Sequence, residues 1–335
     1  MSSLTIKLSK GNRKYQGGED CSGVVCLHLK ESTSIPGFQL KLLGTEVSYV
    51  YSYAHKWVLK SKNEFLVLTS FMPNSFSTAK LPITQSTTIN NHSDCLEPGD
   101  YEFPFSFALP HNTLPSSAFK KSGVFYSIQA KLPENTHVRW IDNLTNKLSC
   151  SIDFQVDQTF DTHKVTEANQ PVKLSMEKCF LISTGKGLLK VTGELKKTML
   201  TPGELVTIPV HLSNESMKNV SGITVSMKES VVMTRVGTIL NEKAKKTNAV
   251  YSQSTRFPEL LTPNSNMDWT LDLRVPPEIP QTVHGSLFKR EYYLEIIVTV
   301  QGFSTNLRTE IPNILIAPQK HESAMVSLNQ TLGRK

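Results

Sequence analysis

Hydrophobic and polar residues alternate with a period of two along most of this chain, the spacing that puts successive side chains on opposite faces of a strand. The sharpest case lies within residues 96–131. Phe103, Phe105 and Phe107 alternate with Pro104 and Ser106 after a Pro98-Gly99-Asp100 turn signal, and Leu109-Pro110 ends the run. Past Leu114-Pro115-Ser116-Ser117 a second run sets Val124, Tyr126, Ile128 and Ala130 on one face and Phe125, Ser127, Gln129 and Lys131 on the other. Three core-facing phenylalanines bury roughly 450–750 Å² at ~150–250 Å² each. The pattern specifies a sandwich core and no chemistry.

The same alternation predicts strands at Leu4–Leu8, Val25–Leu29, Glu64–Thr69 and Leu148–Val156, and one from Phe38 through Gly44 toward Val47, Tyr49 and Tyr51. Tyr15–Glu19 reads as a turn, and the Ser/Thr/Asn-rich stretch Asn74–Asn91 as a loop. Capped 3.6-residue periodicity is missing, so helix is expected at most as one short piece, at Thr33–Gly37 or Asn74–Lys80. From Asp157 to Pro171 alternation stops, which marks a linker. The second half then repeats the logic, with strands around Val172–Met176, Leu188–Lys196, Val206–Leu212, Ile223–Met227, Trp269–Val275, Tyr292–Val300 and Leu307–Ile316, and a lysine-rich loop at Glu242–Asn248. Pro98-Gly99-Asp100 and Pro202-Gly203-Glu204 open strands in both halves as an internal echo. The expected architecture is all-β, two tandem immunoglobulin-like β-sandwiches. The domains are expected at 1–157 and 172–317, joined by a linker at 158–171 and followed by a polar, mobile tail at 318–335.

Composition adds limits. With 39% hydrophobic and 19% charged residues the chain is globular rather than disordered. The longest apolar run, near Leu294–Val300, carries Glu295, so no membrane span is expected, and the opening MSSLTIKLSK lacks the apolar core of a secretory leader. Five cysteines at irregular spacing (Cys21, Cys26, Cys95, Cys150 and Cys179) read as free thiols, with Cys150 a small core residue. The net charge of +7 permits contact with an acidic surface. Lys120-Lys121, Lys196-Lys197 and the cluster of Lys243, Lys245 and Lys246 are the candidates for anionic contact. Aromatics are not interleaved with them, which argues against nucleic acid.

No catalytic or ligand motif stands out. His28 and His211 fall on polar strand faces and the other histidines in loops, without metal-ligand spacing. Ser183–Gly187 mimics a phosphate loop, but Phe180 stands at the first glycine position, so a hairpin turn is expected. Ser116-Ser117 lacks a nucleophile elbow and fits backbone-bonding turn residues. Asp153 with Asp157 and Asp268 with Asp272 read as solvent-facing strand residues. Asn214 is one of five glycosylation sequons, all taken as chance. Pro277–Pro280 is a P-x-x-P that ends a strand. No cofactor, metal site or enzyme activity is expected.

One resemblance is dense. Leu96, Pro98-Gly99, Tyr101, Phe103-Pro104-Phe105-Ser106-Phe107, Leu109-Pro110, Leu114-Pro115-Ser116-Ser117 and Gly123 to Tyr126 resemble the local signature of arrestin N-domains. Gly193-Glu194-Leu195, Thr201–Glu204, Ile208-Pro209-Val210, Leu212–Ser216, Leu273–Pro277, Ile279-Pro280, Tyr293–Ile296 and Ile311–Ile314 resemble the C-domain. The chain is most similar to an alpha-arrestin, or arrestin domain-containing protein. That resemblance implies a non-enzymatic cytoplasmic adaptor that binds membrane-protein cargo and trafficking proteins at the plasma membrane or endosomes, with a retromer-type subunit of the same fold as the alternative. Alpha-arrestins recruit HECT-type ubiquitin ligases through P-P-x-Y motifs. Here Pro276-Pro277 runs into Glu278-Ile279, so that recruitment is not expected. Receptor-binding arrestins carry a phosphate-sensing arginine on the strand corresponding to Lys147–Val156, which holds none here, so no phosphate-triggered latch is expected.

Overall fold

Alternation carries directly into strands. The computed structural model describes residues 2–34, 38–52, 57–72, 95–131, 149–182, 185–236, 242–302 and 306–318. In chain order the first half holds β1 (Ser3–Leu8), β2 (Lys14–Gln16), β3 (Asp20–Leu29), β4 (Thr33–Ser34), β5 (Phe38–Ser52), β6 (Trp57–Met72), β7 (Cys95–Leu96), β8 (Gly99–Ala108), β9 (Ser117–Phe119), β10 (Ser122–Lys131) and β11 (Ser149–Asp157). A short helix, α1 (Thr162–Ala168), occupies the stretch read as linker. Then come β12 (Val172–Ile182), β13 (Gly185–Leu195), β14 (Met199–Leu200), β15 (Leu205–Asn214), β16 (Val220–Arg235), β17 (Glu242–Leu261), β18 (Ser265–Arg274), β19 (Val283–His284), β20 (Phe288–Val300) and β21 (Leu307–Ile316). Thr33 and Ser34 are strand rather than helix, and Asn74–Lys80 and 319–335 lie outside the described residues.

The described residues form two units. The first combines Met1–Thr162 with Glu229–Asn248 and Gln281–Glu291, and the second combines His163–Lys228, Ala249–Pro280 and Tyr292–Lys335. In the first, a sheet of order β1-β3-β8 faces one of order β2-β11-β10-β5-β6. One core lies between them, drawing Leu4, Ile6, Val25, Phe103, Phe105 and Phe107 from one sheet and Leu40, Leu42, Tyr126, Ile128 and Val156 from the other. The three phenylalanines stand opposite Val25, Gly23 and Cys21. Gly23 is glycine for room: a Cβ there would lie 2.8 Å from Phe105 Cζ and 2.3 Å from the Lys7 carbonyl oxygen. Gly23→Ala is expected to cost about 1–3 kcal/mol by overpacking. A urea midpoint lowered at constant slope would show it.

The strand order is duplicated. In the second half β13-β15-β18 repeats β1-β3-β8 with β12 added at the edge, and β14-β21-β20-β16-β17 repeats β2-β11-β10-β5-β6. Even the parallel pairs match, β2 with β11 and β14 with β21. The turn that opens β15 has its counterpart before β3, not at Pro98-Gly99-Asp100, which leads β8. Gly18 and Gly203 both take left-handed backbone, at φ 88° and 83°. Glu19 N and Glu204 N donate to Gln16 O and Thr201 O at 3.1 and 3.0 Å. Their carboxylates accept from Gln16 N and Thr201 N, each at 2.8 Å. Lys10 pairs with Glu19 at 2.6 Å and Lys197 with Glu204 at 2.7 Å. A buried tyrosine recurs as well: Tyr126 OH donates to Leu114 O and Tyr292 OH to Pro280 O.

β12 and β13 pair antiparallel with Ile182 opposite Gly185, the pairing a hairpin turn at Ser183–Gly187 calls for, while Ser183 and Thr184 themselves lie outside the described residues. Glu242–Asn248 departs from expectation, being the first third of β17 rather than a loop. β17 is the edge of its sheet, where a strand keeps backbone pairing on one side and tolerates lysines on the other.

Candidate interaction surfaces

The seven basic positions separate by their surroundings. Lys197 serves the β15 turn through Glu204. Lys120 sits in the β9–β10 turn in left-handed backbone (φ 55°), its Nζ 5.9 Å from the Phe119 ring, with Lys121 exposed beside it. Lys196 is exposed at the end of β13. Lys243, Lys245 and Lys246 are exposed on β17, while Ala244 between them packs against the core of the first unit. None of Lys120, Lys121, Lys196, Lys243, Lys245 and Lys246 makes an ion pair with a described residue. The β17 trio is the densest cluster of such charge on one backed element.

Side chains with chemical potential are otherwise tied into structure. Ser116 Oγ accepts from Val156 N at 2.9 Å, the backbone role expected of it. Ser117 differs, since its hydroxyl accepts from Arg290. His28 and His211 lie on polar strand faces, and each meets an aspartate across the ladder: His28 Nδ1 to Asp100 and His211 Nδ1 to Asp268, both at 2.7 Å. The pairs occupy equivalent strands of the duplicated sheets, and the separation of 72 and 57 residues hid them in the sequence. Among the described residues no three of His, Cys, Asp and Glu gather around a metal-sized space. Cys21, Cys26, Cys150 and Cys179 are free, and burial pushes the Cys21 and Cys150 thiols up to about 11, away from thiolate chemistry. Asn214 is fully buried, which bars its sequon from modification.

In the first unit two buried charged residues were missed by sequence reasoning. Glu46 on β5 is 1% exposed. Its carboxylate accepts from Ser286 Oγ at 2.5 Å, Asn63 Nδ2 at 3.4 Å, and the backbone N–H groups of Leu287 and Phe288 at 3.3 and 3.4 Å. Arg290 donates through one terminal nitrogen to Ser117 Oγ and through the other to Ala118 O at 3.0 Å. Its Nε lies 2.8 Å from Glu229 Oε1, close enough to pair although the N–H does not point along that line. Glu46 and Arg290 thus hold the segment Gln281–Glu291 inside the first unit. In the second unit an open groove of about 650 Å³ crosses the outer face of β12, β13, β15 and β18, with Lys173, Glu194, His211 and Asp268 at its sides.

Tandem sandwiches with one strand order, and no assembled catalytic group among the described residues, define a class of two-domain β-sandwich protein. Two family models match in that same tandem arrangement. The arrestin (or S-antigen) N-terminal domain matches residues 4–161 and the arrestin (or S-antigen) C-terminal domain residues 185–320. The chain belongs to the arrestin superfamily, and within it is alpha-arrestin-like. It is 22% identical over 320 residues to rat (Rattus norvegicus) arrestin domain-containing protein 1, across 93% of this chain and 64% of that protein. It is 20% identical over 329 residues to human (Homo sapiens) arrestin domain-containing protein 5, across 95% of this chain and 89% of that protein. The chain therefore spans less than two thirds of the rat relative. No helix among the described residues is long and apolar enough to cross a membrane.

Proposed function

We propose that this chain is a non-enzymatic adaptor that binds membrane-protein cargo and assists its endocytosis or endosomal transport. It works in the cytoplasm and associates peripherally with plasma membrane or endosomes. The tandem match to arrestin N- and C-terminal domains across residues 4–161 and 185–320 carries this reading. The exposed β17 cluster of Lys243, Lys245 and Lys246 supplies an anionic-surface contact, with Lys120, Lys121 and Lys196 as lesser contributors. Lys197 contributes least, because Glu204 already neutralises it.

Proximity labelling and co-purification from native cells test the proposal, comparing the full chain with a Lys243→Glu, Lys245→Glu, Lys246→Glu variant. Membrane receptors, transporters and coat proteins are expected with the wild type and are expected to be depleted with the variant. Recovery of soluble metabolic proteins alone would overturn the adaptor reading. Retromer core subunits dominating the capture would redirect it to endosome-to-Golgi sorting.

A further inference from the structure

The turn between β19 and β20 is built around a carboxylate that is not its own. Gly285 N donates to Phe288 O at 3.0 Å, which closes a two-residue loop of Ser286 and Leu287. Glu46 of β5 meets the inward side of that loop. Its Oε1 accepts from Leu287 N and Phe288 N, and its Oε2 accepts from Ser286 Oγ at 2.5 Å. The fit leaves no slack: a Cβ on Gly285 would lie 1.7 Å from Glu46 Oε1 and 2.8 Å from its Cδ. Backbone pairing beside the loop is short, with Val283 opposite Arg290 and His284 opposite Lys289. The carboxylate therefore carries a large part of what keeps the loop in place.

Two serines serve the two buried charges of this unit, and they differ in reach. Ser117, which accepts from Arg290, is 7% exposed. Ser286 is exposed although the carboxylate it holds is 1% exposed. Its hydroxyl is thus a surface atom with a buried consequence. Leu287 N, Phe288 N and the Asn63 amide also hold Glu46, but only the serine oxygen is one that a protein kinase esterifies. A phosphoryl group there would bring about −1.5 to −2 charges at neutral pH. Opposite an arginine cluster such a group orders a segment, and beside a carboxylate it disrupts one. The partners of Ser286 Oγ are Glu46 Oε2 and, at 3.3 Å, Asn63 Nδ2. Lys289, three positions on, is engaged by Glu291 at 2.5 Å. Esterification would also remove the proton with which the hydroxyl holds Glu46. Repulsion and the lost donor act in the same direction, and a carboxylate this deeply buried has no water to turn to.

We propose that Ser286 is a phosphorylation site and that its phosphate expels the Ser286–Leu287 loop from Glu46. The reaction belongs to an ATP-dependent Ser/Thr protein kinase. Ser286 Oγ attacks the γ-phosphorus of ATP, and an Oγ–P bond forms. The bond from that phosphorus to the β,γ-bridging oxygen breaks, ADP leaves with the electron pair, and the hydroxyl proton passes to the base of the kinase. Arg290, four residues on, keeps its own contacts with Ser117 and Ala118, so the release is confined to the loop. The proposal goes beyond the adaptor reading and stands or falls without it.

Full chain purified from native cells with phosphatase inhibitors present is digested, and tandem mass spectrometry places the phosphate. Ser286 is expected to carry it and Thr282, which is 2% exposed, is not. Full chain with phosphoserine encoded at position 286 is then compared with unmodified chain by hydrogen exchange. The Leu287 and Phe288 amides are expected to exchange about tenfold faster or more, the effect of losing a hydrogen bond to a charged group. The β10–β11 ladder should be unchanged. Ser286→Ala, which removes the donor and adds no charge, should speed those two amides less than phosphoserine does. Glu46→Gln in the phosphoserine chain removes the repulsion and should slow them again, and phosphatase treatment of the phosphoserine chain should return them to the unmodified rate. An unmodified Ser286 wherever its peptide is recovered, or phosphate on Thr282 in its place, would overturn the site. Unchanged exchange at Leu287 and Phe288 in the phosphoserine chain, faster exchange that outlasts removal of the phosphate, or protection lost throughout the first unit would overturn the local release.

Discussion

Replacing Arg290 by alanine is expected to destabilise the first unit by about 3–5 kcal/mol, the usual cost of removing one member of a buried ion pair. Arg290 is 2% exposed, and its guanidinium donates to the Ser117 hydroxyl and the Ala118 carbonyl while its charge pairs with the Glu229 carboxylate. Alanine withdraws all three contacts and leaves the half-buried Glu229 without its guanidinium. Arg290→Lys should restore little, since a single ammonium cannot address a hydroxyl, a carbonyl and a carboxylate in a forked arrangement. Arg290→Met combined with Glu229→Gln removes both charges and should recover much of the loss, giving a coupling of about 0.5–3 kcal/mol in a double-mutant cycle. Urea denaturation gives the magnitude. Hydrogen exchange gives the place, with lost protection expected first where β19 and β9 pair with β20 and β10. A variant within ~0.5 kcal/mol of wild type, with unchanged exchange in those ladders, would refute the assigned role.

Most strands could be read directly because each buries one face, and a buried face forces period-two alternation on the residues that fill it. Phe103, Phe105 and Phe107 are the clearest instance, and all three lie in the core. Where a strand buries little, the signal fades. Residues 242–248 read as loop because lysine, threonine and asparagine leave no alternation, yet an edge strand needs only backbone pairing on one side. The repeated run of strands was legible in both halves, but at the level of turns the duplication showed only as a pair of Pro-Gly dipeptides, and Pro98-Gly99 is not the counterpart of Pro202-Gly203. The real counterpart of Thr201–Glu204 is Gln16–Glu19, recognisable by a left-handed glycine and a glutamate folded back on the turn, features of hydrogen bonding rather than of residue names. At the candidate surfaces the lysines were legible as charge, but not their fates, because Glu204 reaches Lys197 only once the turn has formed. Glu46 and Arg290 were illegible for a similar reason. Glu46 meets Ser286 across 240 positions, and Arg290 meets Ser117 across 173. Beyond Gly44 the buried positions of β5 are Glu46, Ser48 and Val50, although apolar alternation alone points to Val47, Tyr49 and Tyr51; only the unbroken phase through Gly44 shows which side is buried.

Asn214→Asp is expected to lower the stability of the second unit by about 4 kcal/mol or more at neutral pH, the range reached when an uncompensated charge is buried. Asn214 is fully buried at the end of β15. Its Nδ2 donates to the carbonyls of Lys218, Thr262 and Leu261 at 2.8, 3.0 and 3.1 Å, and its Oδ1 accepts from Ser216 N and Ser216 Oγ at 3.2 and 2.6 Å. The amide is thus the clamp between the loop after β15 and the end of β17. Aspartate has nearly the same shape but sets a carboxylate oxygen against three carbonyl oxygens. Asn214→Ala, which leaves those carbonyls unsatisfied but adds no charge, should cost less, about 1–3 kcal/mol. Acidity separates the two. Burial and the facing carbonyls raise the introduced carboxyl's pKa in the folded state above its unfolded value of about 3.9. Below that unfolded value both states are protonated, and the acid can donate one hydrogen bond where the amide donated. As pH rises from about 4 toward the raised folded pKa, the unfolded state ionises first and stability falls; above the folded pKa the loss is complete and constant. Relative to wild type, the aspartate variant should therefore regain stability on acidification while the alanine variant keeps a nearly constant deficit. Parallel urea titrations of the three proteins across the acid range would show this. An aspartate deficit that does not change with pH would mean that its carboxylate escapes to solvent, and the clamp at Asn214 would have to be abandoned.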